Sequence, residues 1–209
     1  MTQNCPLCNS LGEVFYKNKF TYYKCLICSG IFMNELDRLD MHSEKLRYEV
    51  HENNVEDKGY QNFVAPITSA VMKDFTQEDK GLDFGAGTGS AISKVLEDNG
   101  FNILKYDPYF HNYPQLLEQK YDYIACCEVM EHFYTPKNEF FLLHDLLKKN
   151  GKLYCMTHLY DDNIDFKAWY YKNDQTHVFF YHDKTIEWIR KEYGFTYVSI
   201  NKRLITFTN

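Results

Sequence analysis

The stretch Gly81-Leu-Asp-Phe-Gly-Ala-Gly-Thr-Gly89 decides the fold of this 209-residue chain. A short apolar segment carrying Asp83 runs directly into a turn with glycines at 85, 87 and 89, and a helical pattern over 90–99 follows. Because glycine has no Cβ, such a turn lets the backbone approach a ligand closely. A strand, a glycine turn and a helix N-terminus in this order are typical of a nucleotide-binding element.

The glycine spacing indicates which cofactor class fits. The pattern Asp-x-Gly-x-Gly-x-Gly lacks the extra residue of the dinucleotide fingerprint, and no Gly-Lys-Ser/Thr of a phosphate loop is present. The carboxylate of Asp83 is a poor neighbour for pyrophosphate but a good one for a cationic amino group. Asp107 ends the next predicted strand, Asn102–Tyr106, 18 residues after Gly89. A carboxylate at that point is placed to accept hydrogen bonds from both ribose hydroxyls of a nucleoside.

A third predicted strand, Tyr121–Cys127, is followed by Glu128-Val-Met-Glu-His132. With the glycine turn and Asp107, this segment resembles the class I S-adenosylmethionine-dependent methyltransferases, whose fourth strand often ends in Glu-Val-x-Glu-His. The resemblance covers roughly residues 59–209 and implies S-adenosylmethionine as the cofactor. It implies cofactor contacts at Asp83, Gly85, Ala86, Gly87, Gly89, Asp107, Cys127, Glu128 and Tyr60.

The remaining pattern alternates helices and strands. Thr135-Pro136 predicts the start of a helix running to about Lys149, a strand follows over 152–157, and Asp183 is expected to cap a helix over 184–193. Two final strands, 195–200 and 203–208, are close enough to pair. The fold class predicted is α/β, a Rossmann-like doubly wound and mostly parallel sheet with a C-terminal antiparallel hairpin.

The region after Asp107 departs from the class I pattern. Only 13 residues separate Asp107 from Tyr121, where a full class I domain has two helices and a strand. We therefore expect a reduced wall on the adenine side of the cofactor.

Two Cys-x-x-Cys pairs near the N-terminus, Cys5/Cys8 and Cys25/Cys28, stand 16 residues apart. This spacing is expected of a tetrahedral four-cysteine zinc site. Short strands over 14–16 and 20–24 predict a small zinc ribbon, in which metal binding supplies much of the folding energy. Disulfides or a redox pair are the alternatives. We expect a structural rather than a catalytic zinc, since four cysteines leave no open coordination position.

The expected domains are a zinc ribbon over 1–33, a helical linker or lid over 34–75 and the methyltransferase domain over 76–209. In class I enzymes the chain before the glycine motif often folds over the cofactor. By that resemblance, lid contacts are predicted at Tyr48, His51, Asn53 and Tyr60. A solvated linker is the alternative for this segment.

Methyl transfer to carbon, oxygen or ring nitrogen usually needs a base. His177, in Asp174-Gln-Thr-His177, is the first candidate for a base or substrate ligand, and His132 is the second. His158 is a weaker third. For His177 a structural role beneath a turn formed by Asp174 and Thr176 is the alternative.

The net charge of −6 and the pI of about 5.7 argue against a nucleic-acid substrate, whose binding requires clustered Lys and Arg. The expected acceptor is a small molecule or a glycan-like compound. An RNA methyltransferase that uses ribbon lysines and aromatics to hold RNA is one alternative, and a non-catalytic partner subunit with this fold is another. No signal peptide precedes Cys5 and no apolar run reaches membrane-spanning length, so a cytoplasmic location without membrane contact is expected.

Overall fold

The structure, a computed structural model, describes residues 2–50 and 54–209. Its strands are β1 (Thr2–Asn4), β2 (Leu11–Lys17), β3 (Thr21–Cys25), β4 (Ile31–Met33), β5 (Lys80–Phe84), β6 (Asn102–Tyr106), β7 (Tyr121–Cys127), β8 (Leu147–Met156), β9 (Phe179–Phe180), β10 (Tyr197–Asn201) and β11 (Leu204–Thr208). Its α-helices are α1 (Met41–Glu49), α2 (Lys58–Asp74), α3 (Ala91–Asp98), α4 (Pro136–Leu146) and α5 (Asp183–Tyr193). None of the described helices is long and apolar enough to cross a bilayer.

The larger sheet has six strands in the order β10-β11-β8-β7-β5-β6. Strands β6, β5, β7 and β8 are parallel, and β11 and β10 are antiparallel to them and to each other. Apolar side chains of α2 and α3 pack on one face of this sheet and those of α4 and α5 on the other. The predicted α/β class and its C-terminal hairpin are confirmed.

The smaller sheet joins the N-terminal cysteine region to the rest of the molecule. Its order is β1-β2-β3-β4-β9, and β9 comes from far along the chain. Ile31 pairs with Phe180 and Phe32 pairs with Phe179. An added Cβ on Gly30 would lie 2.3 Å from the Phe179 ring, so the two segments are in close contact. The cysteine region is thus anchored to the segment that carries His177.

Three sequence predictions of where elements begin or end were wrong. Helix α4 ends at Leu146, not near Lys149, and β8 begins at Leu147, not at 152. Leu147 is buried and pairs with Tyr121, so strand pairing takes over from the helix. The intervening residues 148–151 form an irregularity in β8, in which Asn150 has φ 64°. The N-cap of α5 is His182 rather than Asp183, because its ring Nδ1 accepts the Lys184 N–H at 3.2 Å.

The segment between Asp107 and Tyr121 contains little regular structure, as its 13 residues predicted. An isolated bridge pairs Asp107 with His111, and a 3₁₀ turn spans Pro114–Glu118. Strand β6 therefore forms the edge of the larger sheet.

Candidate active site

The glycine turn lies at the carboxyl end of β5 and opens into the main cavity of the described residues, about 670 Å³ in volume. The N–H groups of Gly85 and Ala86 both donate to the Tyr106 carbonyl at 2.8 and 3.1 Å, which ties the turn to β6. Gly85 has φ 82°, and a Cβ there would lie 2.5 Å from the Val129 side chain. Both the backbone conformation and the lack of space require glycine at position 85. Gly85, Ala86 and Gly87 line the cavity.

Asp83 and Gly89 are not among the cavity-lining residues. Asp83 is buried beneath the turn, where its carboxylate accepts the Ser93 hydroxyl at 2.7 Å. Burial raises the pKa of Asp83, and hydrogen bonds from Ser90 and Ser93 oppose that rise. The observed role of Asp83 is to fix the start of α3 under the glycine turn. A direct contact of Asp83 with the cofactor stays a prediction.

Asp107 lies on the cavity wall and also braces the glycine turn. One carboxylate oxygen accepts the Gly87 N–H at 3.0 Å, and the other accepts the N–H groups of Tyr109 and Phe110 at 2.8 and 3.1 Å. Asp107 therefore holds Gly87 and the 109–110 turn in fixed positions around the cavity. This bracing role could not be read from the sequence, and the predicted contact of Asp107 with the ribose hydroxyls stays a prediction.

Helices α1 and α2 both contribute to the cavity wall. Met41, Glu44 and Tyr48 line the cavity from α1, and Tyr60 lines it from α2. Glu44 is only 6% exposed, and its carboxylate accepts the hydroxyls of Tyr48 and Tyr109 at 2.8 and 2.9 Å. These bonds connect α1 to the short segment after Asp107. Of the predicted lid residues, Tyr48 and Tyr60 reach the cavity, while His51 and Asn53 lie outside the described residues.

Glu44 was missed by sequence reasoning. It lies on a helix with many polar residues and one buried side chain, which is Glu44 itself. No apolar periodicity marks the buried face of α1, so the sequence gives no indication that Glu44 lies at the cavity.

Cys127 and Glu128 line the cavity at the end of β7. Glu128 has φ 52°, a conformation that non-glycine residues rarely adopt. Arg203 donates to both Glu128 carboxylate oxygens at 2.6 Å, and the Tyr171 hydroxyl oxygen lies 3.1 Å from one of them. Burial and the neighbouring Glu131 raise the pKa of Glu128 to about 7, although Arg203 opposes this.

The two histidine candidates come together on the same wall. The rings of His132 and His177 have centroids 4.8 Å apart, and both residues line the cavity. Nδ1 of His132 lies 2.9 Å from the Thr176 carbonyl oxygen, and Nδ1 of His177 lies 2.7 Å from that of Tyr171. Burial lowers the pKa of both rings, so both favour the neutral form. His158 does not line the cavity, and its Nδ1 pairs with the Tyr170 hydroxyl at 3.1 Å.

The charges of the cavity wall have one sign. The acidic lining residues are Glu44, Asp107, Glu128, Glu139 and Asp174, and no Lys or Arg lines it in the part of the chain that the structure describes. Aromatic side chains such as Tyr60, Phe63 and Tyr134 supply much of the apolar surface. The cavity is therefore suited to neutral or cationic groups rather than to phosphates.

The four cysteines of the N-terminal region form one cluster, with the sulfur atoms all within 4.8 Å of one another. Cys5 and Cys28 are 3.6 Å apart and Cys8 and Cys25 3.3 Å apart. Tetrahedral zinc with bonds of about 2.3 Å requires sulfurs about 3.8 Å apart, so the cluster fits zinc closely. Hydrogen bonds from Cys28 and Cys5 hold the pKa of Cys25 well below its usual range, which favours a thiolate there, while hydrogen bonds with Cys25 and Cys5 raise the pKa of Cys28.

The two Cys-x-x-Cys turns have the same geometry. In each, the N–H of the first cysteine donates to a carbonyl five residues later, Cys5 to Ser10 and Cys25 to Gly30, both at 2.8 Å. The residue after the second cysteine has positive φ in each turn, 60° at Asn9 and 63° at Ser29. The repeat predicted by the cysteine spacing is thus a structural repeat.

Comparison with known proteins agrees with this geometry. A family described as a methyltransferase domain matches residues 57–200. The fold is similar to that of an O-methyltransferase family protein from Burkholderia thailandensis, with TM-score 0.54, 11% identity and coverage of 79% of this chain and 61% of that one. It is also similar to the SAH-bound form of CalO1, a methyltransferase in calicheamicin biosynthesis, with TM-score 0.51, 12% identity and coverage of 81% and 57%.

The chain thus covers about three fifths of the length of both solved structures. No curated protein sequence matches it significantly. The family match spans the glycine turn, Asp107 and the 128–132 segment, which are the residues on which the resemblance rested. The chain belongs to the methyltransferase-domain family and has the Rossmann-like fold of S-adenosylmethionine-dependent methyltransferases.

Proposed function

We propose that this protein transfers a methyl group from S-adenosylmethionine to a small-molecule or glycan-like acceptor. The observation that carries the proposal is a single cavity with two kinds of wall. Gly85, Gly87 and Asp107 form one wall, and His132 and His177 form another. The first suits a nucleoside cofactor, and the second suits an acceptor whose proton must be removed.

The residues that hold the cofactor are those at the strand ends. The backbone of 85–87 and the carboxylate of Asp107 bind its nucleoside part, and Tyr60 and Cys127 contact it from either side. The bound cofactor supplies an electrophilic methyl group on a sulfonium centre. The contribution of the protein is to align the acceptor with that methyl group and to exclude water, for which α1 closes the cavity.

His177 and His132 promote loss of the acceptor proton. Their Nδ1 atoms are engaged by backbone carbonyls, so Nε2 is the atom of each ring that remains for the acceptor side. Because burial favours the neutral ring, Nε2 has a free lone pair near neutral pH.

The charge of the cavity supports a non-phosphorylated acceptor. A phosphate or nucleic-acid backbone would meet the carboxylate of Glu44. Among the described residues no Lys or Arg lines the wall to neutralise it, and the nearby Arg47 and Arg203 are already paired with Asp174 and Glu128.

The ribbon aromatics also argue against RNA as the acceptor. Tyr22 is buried, and the partly buried Phe15 and Tyr16 pack against Phe166 in the same hydrophobic cluster, so these rings serve the protein core rather than stacked bases. Lys24 pairs with Asp162 at 3.1 Å.

The four-cysteine cluster is proposed to hold one structural zinc ion. All four ligands are thiols, which leaves no position for substrate, and the nearest contacts of the cluster are to the hydrophobic core. The ion thereby stabilises the sheet that is anchored to β9. We further propose a cytoplasmic location, where thiolates remain reduced and available to zinc.

A transfer assay tests the acceptor class. Zinc-loaded protein is incubated with methyl-labelled S-adenosylmethionine and, separately, with pooled hydroxylated small molecules and sugars or with total RNA. The expected result is label in the small-molecule pool, reduced by His177→Ala but not by His158→Ala. Label in RNA, with binding that weakens steeply as salt rises, would replace this proposal by the RNA alternative. Cofactor binding without transfer to any pool would favour the partner subunit.

A further inference from the structure

Glu131, His132 and His177 form a second cluster of metal-ligand type, well separated in the chain from the cysteines. One ligand atom from each residue lies within 4.8 Å of the other two. The two segments that carry them are fixed to each other, because the Val178 N–H donates to the Glu131 carbonyl at 2.9 Å.

The hydrogen bonds of the two rings prepare them as ligands. Nδ1 of His132 faces the Thr176 carbonyl at 2.9 Å, and Nδ1 of His177 faces the Tyr171 carbonyl at 2.7 Å. A carbonyl only accepts, so each Nδ1 carries the proton and each Nε2 has the lone pair. This carbonyl–imidazole arrangement is the usual outer support of a metal-binding histidine.

Tyr48 fits the same assignment. Its hydroxyl donates to Glu44 at 2.8 Å and lies 3.1 Å from His132 Nδ1. Since the hydroxyl proton is used by Glu44, the Tyr48 oxygen can only accept, and the His132 Nδ1–H is shared between it and the nearer Thr176 carbonyl. The ring orientation is thus fixed from α1 as well as from the 174–177 loop.

Glu131 supplies the observation that calls for a cation. Its side chain has no solvent exposure, one carboxylate oxygen accepts the Tyr171 hydroxyl, and the other has no hydrogen-bond partner among the described residues. A buried carboxylate oxygen without a partner is unfavourable. Arg203 does not relieve it, because both of its short contacts are to Glu128.

We propose that Glu131, His132 and His177 bind a divalent metal ion on the acceptor side of the cavity. Two imidazoles and one carboxylate occupy one side of such an ion and leave positions open. His132 and His177 line the cavity, so the open positions face the acceptor.

The role of the ion in catalysis rests on the proposed function. An acceptor hydroxyl bound to the ion becomes more acidic and loses its proton to water. Its oxygen then forms the new bond to the methyl carbon, and the carbon–sulfur bond breaks with its electron pair retained by sulfur. The histidines thus act as ligands of the ion rather than as direct bases, and the acceptor class is an alcohol or phenol.

Electron paramagnetic resonance with Mn²⁺ tests the site without any acceptor. The protein is first loaded with one equivalent of zinc, which four thiolates take up in preference to two imidazoles and a carboxylate, so that the second site stays free for Mn²⁺. The expected result is one Mn²⁺ bound per chain in the wild type, with affinity at least about tenfold weaker in Glu131→Gln and His177→Asn. His158→Asn, at a histidine outside the cluster, should bind Mn²⁺ like the wild type.

Zinc content and S-adenosylmethionine affinity of each variant control for folding. No Mn²⁺ binding by the wild type, or equal affinity in all four proteins, would overturn the proposal. Failure of the wild type to bind S-adenosylmethionine would count against the proposed function alone, because the Mn²⁺ signal is read without cofactor.

Discussion

Arg47 and Asp174 form a bidentate ion pair that joins helix α1 to the loop carrying His177. Nε and Nη2 of Arg47 donate to Oδ1 and Oδ2 of Asp174 at 2.9 and 3.0 Å. Asp174 also accepts the N–H and the hydroxyl of Thr176 at 3.0 and 2.7 Å. Burial opposes ionisation of Asp174, but these hydrogen bonds outweigh it and hold the pKa of the carboxyl well below its usual range. The pair therefore links helix α1 to the His177 loop, both of which contribute residues to the cavity wall.

Breaking this pair should loosen α1 without unfolding the protein. Both side chains are partly exposed, so the pair contributes only about 0.2–1 kcal/mol. Arg47→Gln and Asp174→Asn should each accelerate proteolysis within α1, and the double variant should be no faster than the singles. Lys45→Gln, which removes an ion pair within the same helix, should leave the rate unchanged. Additive effects of the two substitutions would argue against a shared contact.

Gly85 should be required for cofactor binding, and Gly194 provides a matched control. Both have nearly the same φ, 82° and 83°, but a Cβ on Gly194 has no atom within 4 Å, whereas one on Gly85 collides with Val129. Gly194→Ala should cost about 1–2 kcal/mol of stability and leave S-adenosylmethionine affinity intact. Gly85→Ala should cost more and abolish binding. Urea unfolding and calorimetric titration measure the two effects, and equal cofactor affinities in the two variants would contradict this account of the turn.

Zinc should be bound by the four-cysteine cluster with one ion per chain. Cys5→Ser should remove the zinc and lower the melting temperature, because the ion links β-turns that bury few other side chains. Cys155→Ser, at a buried cysteine of β8, should retain full zinc content even where its stability falls. The zinc content of each purified variant is measured by metal analysis. Full zinc content in Cys5→Ser would show that the metal lies elsewhere.

Asp74 should make stability depend on pH. Burial alone would raise its pKa, but Lys152 and Tyr154 donate to it at 2.7 Å each and lower the pKa below its ordinary value. A carboxyl with a lowered folded-state pKa contributes stability above its unfolded pKa, and this contribution is lost as pH falls through the folded pKa. Asp74→Asn should therefore melt below the wild type at pH 7, and the gap should narrow below about pH 4. A difference in melting temperature between the two proteins that stays constant down to pH 3 would contradict this role of the Asp74 carboxylate.

The parts of the fold that the sequence predicted correctly are those encoded locally. Strands β6 and β7 have the predicted bounds, because each is a short apolar run ended by a turn or a charged residue. The glycine turn follows β5 for the same local reason. The cysteine cluster was predicted from spacing, since two identical turns can direct four sulfurs to one point.

The parts that the sequence did not predict depend on distant partners. Leu147 leaves α4 because Tyr121 is available to pair with it. Strand β9 exists because β4 lies beside it. Glu44 can lie at the cavity because the hydroxyls of Tyr109 and Tyr48 donate hydrogen bonds to its carboxylate. Nothing in the sequence pattern of α1 distinguishes Glu44 from the solvent-exposed acidic residues. The pairing of Glu131 with His177 likewise joins two segments that are 46 positions apart in the sequence.

The cavity at the glycine turn should bind S-adenosylmethionine. Calorimetric titration of the zinc-loaded protein measures this binding, and it is repeated on Asp107→Ala and on the control Asp161→Ala, which alters a carboxylate outside the cavity. The wild type and the control should bind at micromolar concentration, and Asp107→Ala should not bind. Absence of binding in the wild type, or undiminished binding by Asp107→Ala, would contradict this role of the cavity.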